Sequence, residues 1–271
     1  MKPRRALRPA PRRALYEKGG DLFSRSIGLI LFIALWELAP ALHLVRGTYL
    51  APPSAALQAL FRMALRGELA RHFFISLKRA ATGLLMSAAV GVSLGLFIGY
   101  FKSIDRRLNL LFQSFRQMSA FALFPVFILF FGLGELSKTI IIFWASLWPV
   151  LLNTATGVKN VDKVLVRSAI SMGASKGYIF LNIIIPAAAP EIFTGIRLGG
   201  SYCVMAVVAA EMIGATSGLG YLVMYSEQTF NTPEMYGGII MLAVLGLGLN
   251  YALHAIEQFF TSWKEEMRAG E

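Results

Sequence analysis

The sequence predicts an all-α integral membrane protein with about six transmembrane helices, and three observations predict it. Hydrophobic residues make up 56% of the 271 positions, charged ones only 15%, and mean hydropathy is +0.60, values too apolar for an ordinary soluble domain. Apolar stretches long enough to cross about 30 Å of hydrocarbon recur along the chain. Its Lys and Arg residues gather beside those stretches instead of covering a soluble face.

Residues 1–25 form a basic tail carrying Lys2, Arg4, Arg5, Arg8, Arg12, Arg13 and Lys18, and residues 26–262 form one membrane domain. The first expected span covers 26–45. It is full length, contains Glu37 and Pro40, and is not preceded by the short apolar stretch and small-residue cleavage site of a secretory signal, so it reads as retained. A mitochondrial presequence is the competing reading of the Arg-rich tail. Within residues 55–69, Leu57, Leu60, Phe61, Ala64 and Leu65 fall on one helical face opposite Gln58, Arg62 and Arg66, after Pro52, Pro53 and a capping Ser54. This predicts an interfacial helix on the outer leaflet within an external loop that also holds Arg71, Lys78 and Arg79.

The second span is expected at 80–101, where Gly83, Ser87, Gly91, Gly95 and Gly99 recur at four-residue steps and line one face. Such a face admits another helix at close range, either within the subunit, which is favoured, or across a subunit interface. The third, 108–131, carries Gln113, Arg116, Gln117 and Ser119 in an apolar context and is expected to bend at Pro125. An arginine at membrane depth faces water, a partner or a substrate, or else snorkels to the interface, and the two readings of Arg116 weigh equally. Glu135 and Lys138 fall in a turn expected to be solvated. The fourth span, 136–157, offers Ser146, Asn153, Trp144 and Trp148, which line a path or pack. The fifth, 191–214, ends near Glu211, which either caps the following loop or pairs with a cation across a dimer gate, capping being favoured. The sixth covers 235–260, and residues 263–271 form a C-terminal tail. An even number of spans puts both termini on one side, which Lys102, Arg106, Arg107, Lys159, Lys163, Arg167 and Lys176 mark as cytoplasmic.

Several functions are excluded. The net charge of +11 is not arranged on an aromatic-studded soluble face, which argues against nucleic acid. His43, His72 and His254 are scattered without metal-ligand spacing, no Gly-x-Ser-x-Gly elbow occurs, and no Gly-Lys-Ser/Thr phosphate loop is present. The chain is therefore expected to be no enzyme, and to bind no metal and no cofactor. Cys203 is the one cysteine, so no internal disulfide can form.

Between the fourth and fifth spans stands RSAISMGASKGYIFLNIIIP, residues 167–186, a moderately polar stretch read as two short helices with a bend near Gly173 to Gly177, the second stopped by Pro186. Its Ala169, Gly173, Ile183, Ile185 and Pro186 stand in the register of the EAA loop of ATP-binding-cassette importer permeases, with Arg167 and Ser168 replacing the name-giving Glu and first Ala. ALFPVFILFFGLGELSK, PEIFTGIRLGG and VVAAEMIGATSGLGYLV extend the likeness over residues 76–263. The chain thus resembles the nitrate, taurine and aliphatic-sulfonate branch of these permeases, although Gln117, Met118, Ser119 and Ala120 replace the Pro-rich start of that branch's third helix.

The resemblance implies a type I importer permease fold of the MetI kind in the inner membrane of a prokaryote. It further implies a homodimer with two ATPase subunits that hold ATP and Mg²⁺, and an external solute-binding protein delivering a small anion such as a sulfonate, taurine or nitrate. Residues 158–189 would be the coupling loop, with Arg167, Ser168, Ala169, Gly173, Ala174, Ser175 and Pro186 docking on the ATPase. Gln113, Arg116, Ser119, Trp148, Asn153 and Glu211 are the candidate path residues. The alternative from another class is a secondary transporter or channel without an ATPase, which inverted repeats would favour; no convincing internal repeat is found.

Overall fold

The computed structural model describes residues 27–28, 30–45 and 47–269, and side chains as far as residue 260. The described residues form helices α1 (Ile30–Ala41), α2 (Pro53–Leu65), α3 (Glu68–Tyr100), α4 (Lys102–Gln117), α5 (Ala120–Phe131) and α6 (Glu135–Lys159). Then follow α7 (Lys163–Ser171), α8 (Lys176–Ile179), a π turn (Phe180–Ile184), α9 (Ile185–Met212), α10 (Leu219–Gln228) and α11 (Thr232–Ala269). Four of them are long and apolar enough to span a membrane: α3, α6, the unit from α8 through α9, and α11. The bent pair α4–α5 makes a fifth if it counts as one span. Among the described residues of the expected first span, the apolar helix is only Ile30–Ala41. The tail 1–25 lies outside the described residues.

The centre of the bundle is α6, which is flanked by small residues on both sides. Added β-carbons at Gly91, Gly95 and Gly99 of α3 would lie 3.0 Å from Val150, 2.6 Å from Thr154 and 2.7 Å from Val158, all on α6. From the other side, β-carbons at Gly195 and Gly199 of α9 would lie 2.8 Å from Asn153 and 2.9 Å from Val150. Because lipid tails give apolar helices no hydrophobic reason to associate, this close backbone approach, and the dispersion it permits, holds the layers together. The glycine face of α3 is therefore packed within the subunit. A core of Ala80, Leu84, Phe124, Ile141, Ile142, Cys203, Ala206 and Val207 joins α3, α5, α6 and α9.

Several expectations are corrected. α3 begins at Glu68, so Arg71, Lys78 and Arg79 belong to a helix and not to a loop. α2 has Pro52 as its N-cap with no side-chain cap; Ser54 instead donates its hydroxyl and amide to the Glu37 carboxylate, tying α2 to α1. α2 buries Ala56, Ala59 and Met63, Met63 packing in a cluster with Leu219, Leu222 and Leu245, while Leu57, Phe61 and Leu65 stay exposed. The break in the third expected span is at Met118–Ser119, where α4 and α5 diverge by 94°, and not at Pro125, which lies inside α5. α4 buries no residue and is strongly amphipathic, whereas α5 is apolar throughout, so nothing draws the two into line. Pro186 does not stop a helix either. It falls in the first turn of α9, where its missing N–H and fixed φ are tolerated, directly after the widened π turn.

Candidate functional site

Three regions carry the polar and exposed residues. At one end of the bundle, α7 is capped by Asp162, whose carboxylate accepts the Val164 amide at 2.7 Å. Its far end is closed by paired hydrogen bonds, Ala174 N to Ala169 O at 3.0 Å and Gly173 N to Ile170 O at 3.0 Å. That pairing is the Schellman termination, and it puts Gly173 at φ +82°. A β-carbon on Gly173 would meet nothing within 4 Å. The glycine is thus needed for its left-handed backbone and not to avoid a clash. Ser175 caps α8, its hydroxyl accepting the Tyr178 amide at 3.3 Å.

Ala169 is buried against Ile179, Ile184 and Ala188 and fixes α7 to the root of α9, with Ala174 beside it. Arg167 and Ser168 are exposed. So are Val164, Leu165, Ile170 and Met172, the last at 80%. A short amphipathic helix is therefore seated by one small residue and presents both cations and apolar groups outward.

The α4–α5 break opens a cavity of about 700 Å³ bounded also by α6 and α9. Arg116, Ser119, Trp148 and Asn153 all line it, so four of the six expected path residues share one wall system. Tyr202 and Phe121 complete it and were not singled out from sequence, because an aromatic in an apolar span carries no local mark of facing a void. Asn153 donates its side-chain amide to Pro149 O at 2.8 Å, while the Trp148 indole N–H has no partner among the described residues. Gln113 lies in a separate recess of about 180 Å³ with Asp105 and Lys159, which pair at 2.6 Å; Arg116 borders both spaces.

Glu211 does not line that cavity. At the opposite end of the bundle from α7, its carboxylate is wholly buried and accepts the Ser76 hydroxyl, the Arg79 guanidinium and the Gly220 amide, each at 2.8 Å. Arg79, 4% exposed, also donates to Ser217 O at 2.7 Å and to both oxygens of Glu135 at 2.6 and 2.8 Å. Lys138 joins Glu135 at 3.0 Å and is buried, whereas Glu135 keeps 64% of its side chain exposed, so the expected solvated turn holds for the glutamate and not for the lysine. The Leu219 amide donates to Ser76 and the Gly218 amide to His72. This network of two acids and two bases staples the α9–α10 loop to α3 and α6, which matches the capping alternative for Glu211. Arg79 was missed as a partner. The run of small residues on α3 extends upstream through Ala80 to Ser76, and that extension was the available signal.

Residues 91–264 match the family described as "Binding-protein-dependent transport system inner membrane component". The chain belongs to that family. It is 31% identical to the taurine transport system permease protein TauC of Escherichia coli K12 over 249 residues, 90% of each protein. It is 33% identical to the putative aliphatic sulfonates transport permease protein SsuC of Bacillus subtilis, over 88% of this chain and 87% of that one. Among solved structures, an inward-facing form of the MetNI methionine ABC transporter superposes with a TM-score of 0.65 at 15% identity, covering 73% of this chain and 98% of that one, a likeness of fold. The protein is accordingly a membrane-embedded permease component of an ATP-binding-cassette import system with a MetI-like fold. That family membership sets aside the secondary-transporter alternative.

Proposed function

We propose that this permease works as a homodimer with two ATPase subunits, translocating a small anionic solute of the sulfonate, taurine or nitrate kind that an external binding protein delivers. ATP and Mg²⁺ belong to the ATPase. The α7 end, both termini and the tails 1–25 and 263–271 are cytoplasmic, since Lys159, Lys163, Arg167 and Lys176 crowd that end. The names of the taurine and sulfonate relatives support the solute class.

The observation that carries the reading is α7 itself. Outside the spans, it exposes Val164, Leu165, Ile170 and Met172 beside Arg167 while Ala169 anchors it to the root of α9. Apolar groups grouped this way on a water-facing turn mark a docking surface. Because α7 is short, capped at both ends and seated on α9, a push on it is passed on as a rigid-body movement and not absorbed by bending. A Met172→Cys variant carrying a photo-crosslinker, purified with whatever ATPase it retains in detergent, tests the reading. A crosslink to an ATP-binding subunit supports it; no retained ATPase, or a crosslink only to lipid, removes it.

A further inference from the structure

An open groove lies between the last turns of α3 and the unit made by α8 and the π turn, and it shares no lining residue with the cavity at the α4–α5 break. About 450 Å³ in volume, it is walled by Ser93, Phe97, Tyr100, Phe101 and Phe180, and Lys176 is its one charged lining residue. Four rings run through it in series. Phe97 lies 4.9 Å from Phe101, Phe101 lies 5.0 Å from Tyr100, and Tyr100 meets Phe180 edge-on at 5.0 Å. Phe97 and Phe101 nonetheless stay 47% and 45% exposed. The Ser93 hydroxyl turns no free proton to the groove, because it donates to Ala89 O at 2.7 Å.

Depth and charge together select the occupant. Residues 80–101 and 177–190 hold no charged side chain, and each apolar run borders a lysine, Lys102 after Phe101 and Lys176 before Gly177. Aromatic rings beside lysine at the end of an apolar run mark the headgroup level of a bilayer. From Phe101 the groove follows α3 inward to Ser93, about 12 Å at 1.5 Å per residue, which is most of one leaflet's half of a hydrocarbon core about 30 Å thick. A lipid chain reaches that depth; a water-soluble partner does not. No Asp or Glu occurs in residues 163–186, and Asp105, the single acid of α4, is already paired with Lys159 at 2.6 Å, so the charge at the mouth of the groove is positive. We propose that the groove binds an anionic phospholipid of the leaflet on the α7 side, with one acyl chain along Phe97, Phe101 and Phe180 and the phosphate on Lys176. Bound there, the lipid touches the end of α3 and the start of the α8 unit at once and ties the two together. The inference needs only α3 and α9 in a membrane, and it stands apart from the partners and the solute proposed above.

Native mass spectrometry of the full-length protein, stripped of lipid in detergent and supplied with dioleoylphosphatidylglycerol or with dioleoylphosphatidylcholine, tests this, since the two lipids share their chains and differ in net charge. The parent is expected to retain phosphatidylglycerol about fivefold more tightly or better, the factor one lysine contributes at an anionic headgroup. K176Q brings phosphatidylglycerol down to the phosphatidylcholine level. S93F, whose ring fills the inner end of the groove, weakens retention of both lipids severalfold. K163Q removes a charge at the same end of the bundle but outside the groove, and retains lipid like the parent. Lys176, Ser93 and Lys163 are all exposed, so these variants are not at risk of misfolding. Equal retention of the two lipids by the parent, parental retention in K176Q or in S93F, or an equal loss in K163Q would overturn the site. In native membranes a photo-crosslinker on F97C should capture lipid; capture of a second copy of this chain or of another protein in its place would assign the groove to protein and overturn the lipid reading.

Discussion

Replacing Gly173 by alanine separates a backbone preference from packing, because the site imposes the first without the second. The residue stands at φ +82°, where an L side chain costs roughly 1–2 kcal/mol, and a β-carbon there would meet nothing within 4 Å, so no steric term is added. That cost falls on the Schellman closure made by the Ala174 and Gly173 amides, and it lowers the population of the closed end about five- to thirtyfold. Amide exchange at Gly173 and Ala174 in the purified permease should accelerate by that factor. In the reconstituted complex, ATPase stimulation by the binding protein should fall in parallel, since α7 would no longer pass movement to α9 at a fixed angle. Two comparisons sharpen the test. G173N should lose less than G173A, because asparagine tolerates the left-handed region. G177A should be silent or slightly stabilising, since Gly177 is helical, has no positive φ and is equally open. Parental exchange and stimulation in G173A, or an equal loss in G177A, would refute the argument that conformation at Gly173 sets the coupling geometry.

Three further outcomes are expected. R79M strands the wholly buried Glu211 carboxylate without its cation and should cost about 3–5 kcal/mol, lowering the melting temperature in detergent; the double change R79M with E211L should recover much of the loss, and a double variant no better than the single would refute the pairing. G95L forces a side chain into Thr154 and should destabilise by about 1–3 kcal/mol or more, whereas G248L, with nothing within 4 Å, should leave the melting temperature unchanged; equal effects would contradict the packing of α3 on α6. A cysteine replacing Ser175 should react with a membrane-impermeant maleimide only after the cells are opened, and labelling in intact cells would invert the topology.

Features that depend on short-range periodicity were legible in the sequence. Spans at α3, α6, α9 and α11, the small-residue stripe from Gly83 to Gly99, the bend at Gly173 and the polar group of Arg116 and Ser119 all follow from what one helix face or one turn repeats or interrupts. Tertiary structure decided what depends on partners far along the chain. Arg79 finds Glu211 across 132 positions, and no local pattern states which buried acid neutralises which base. The break at Met118 in place of Pro125 is of the same kind, since Pro125 stays inside α5 and the chain diverges where the polar α4 gives way to the apolar α5. Pro186 continues a helix because the π turn before it relieves the clash, an adjustment set by the packing of Ile184 and Ala188 under α7. Sequence by itself settled which stretches are apolar enough to span a membrane and that the chain turns at Gly173; only the packed bundle decided where the third span breaks, which faces meet, which charges are paired, and that the path residues from α4, α5 and α6 enclose one cavity with Tyr202, because those are long-range pairings that a one-dimensional period cannot encode.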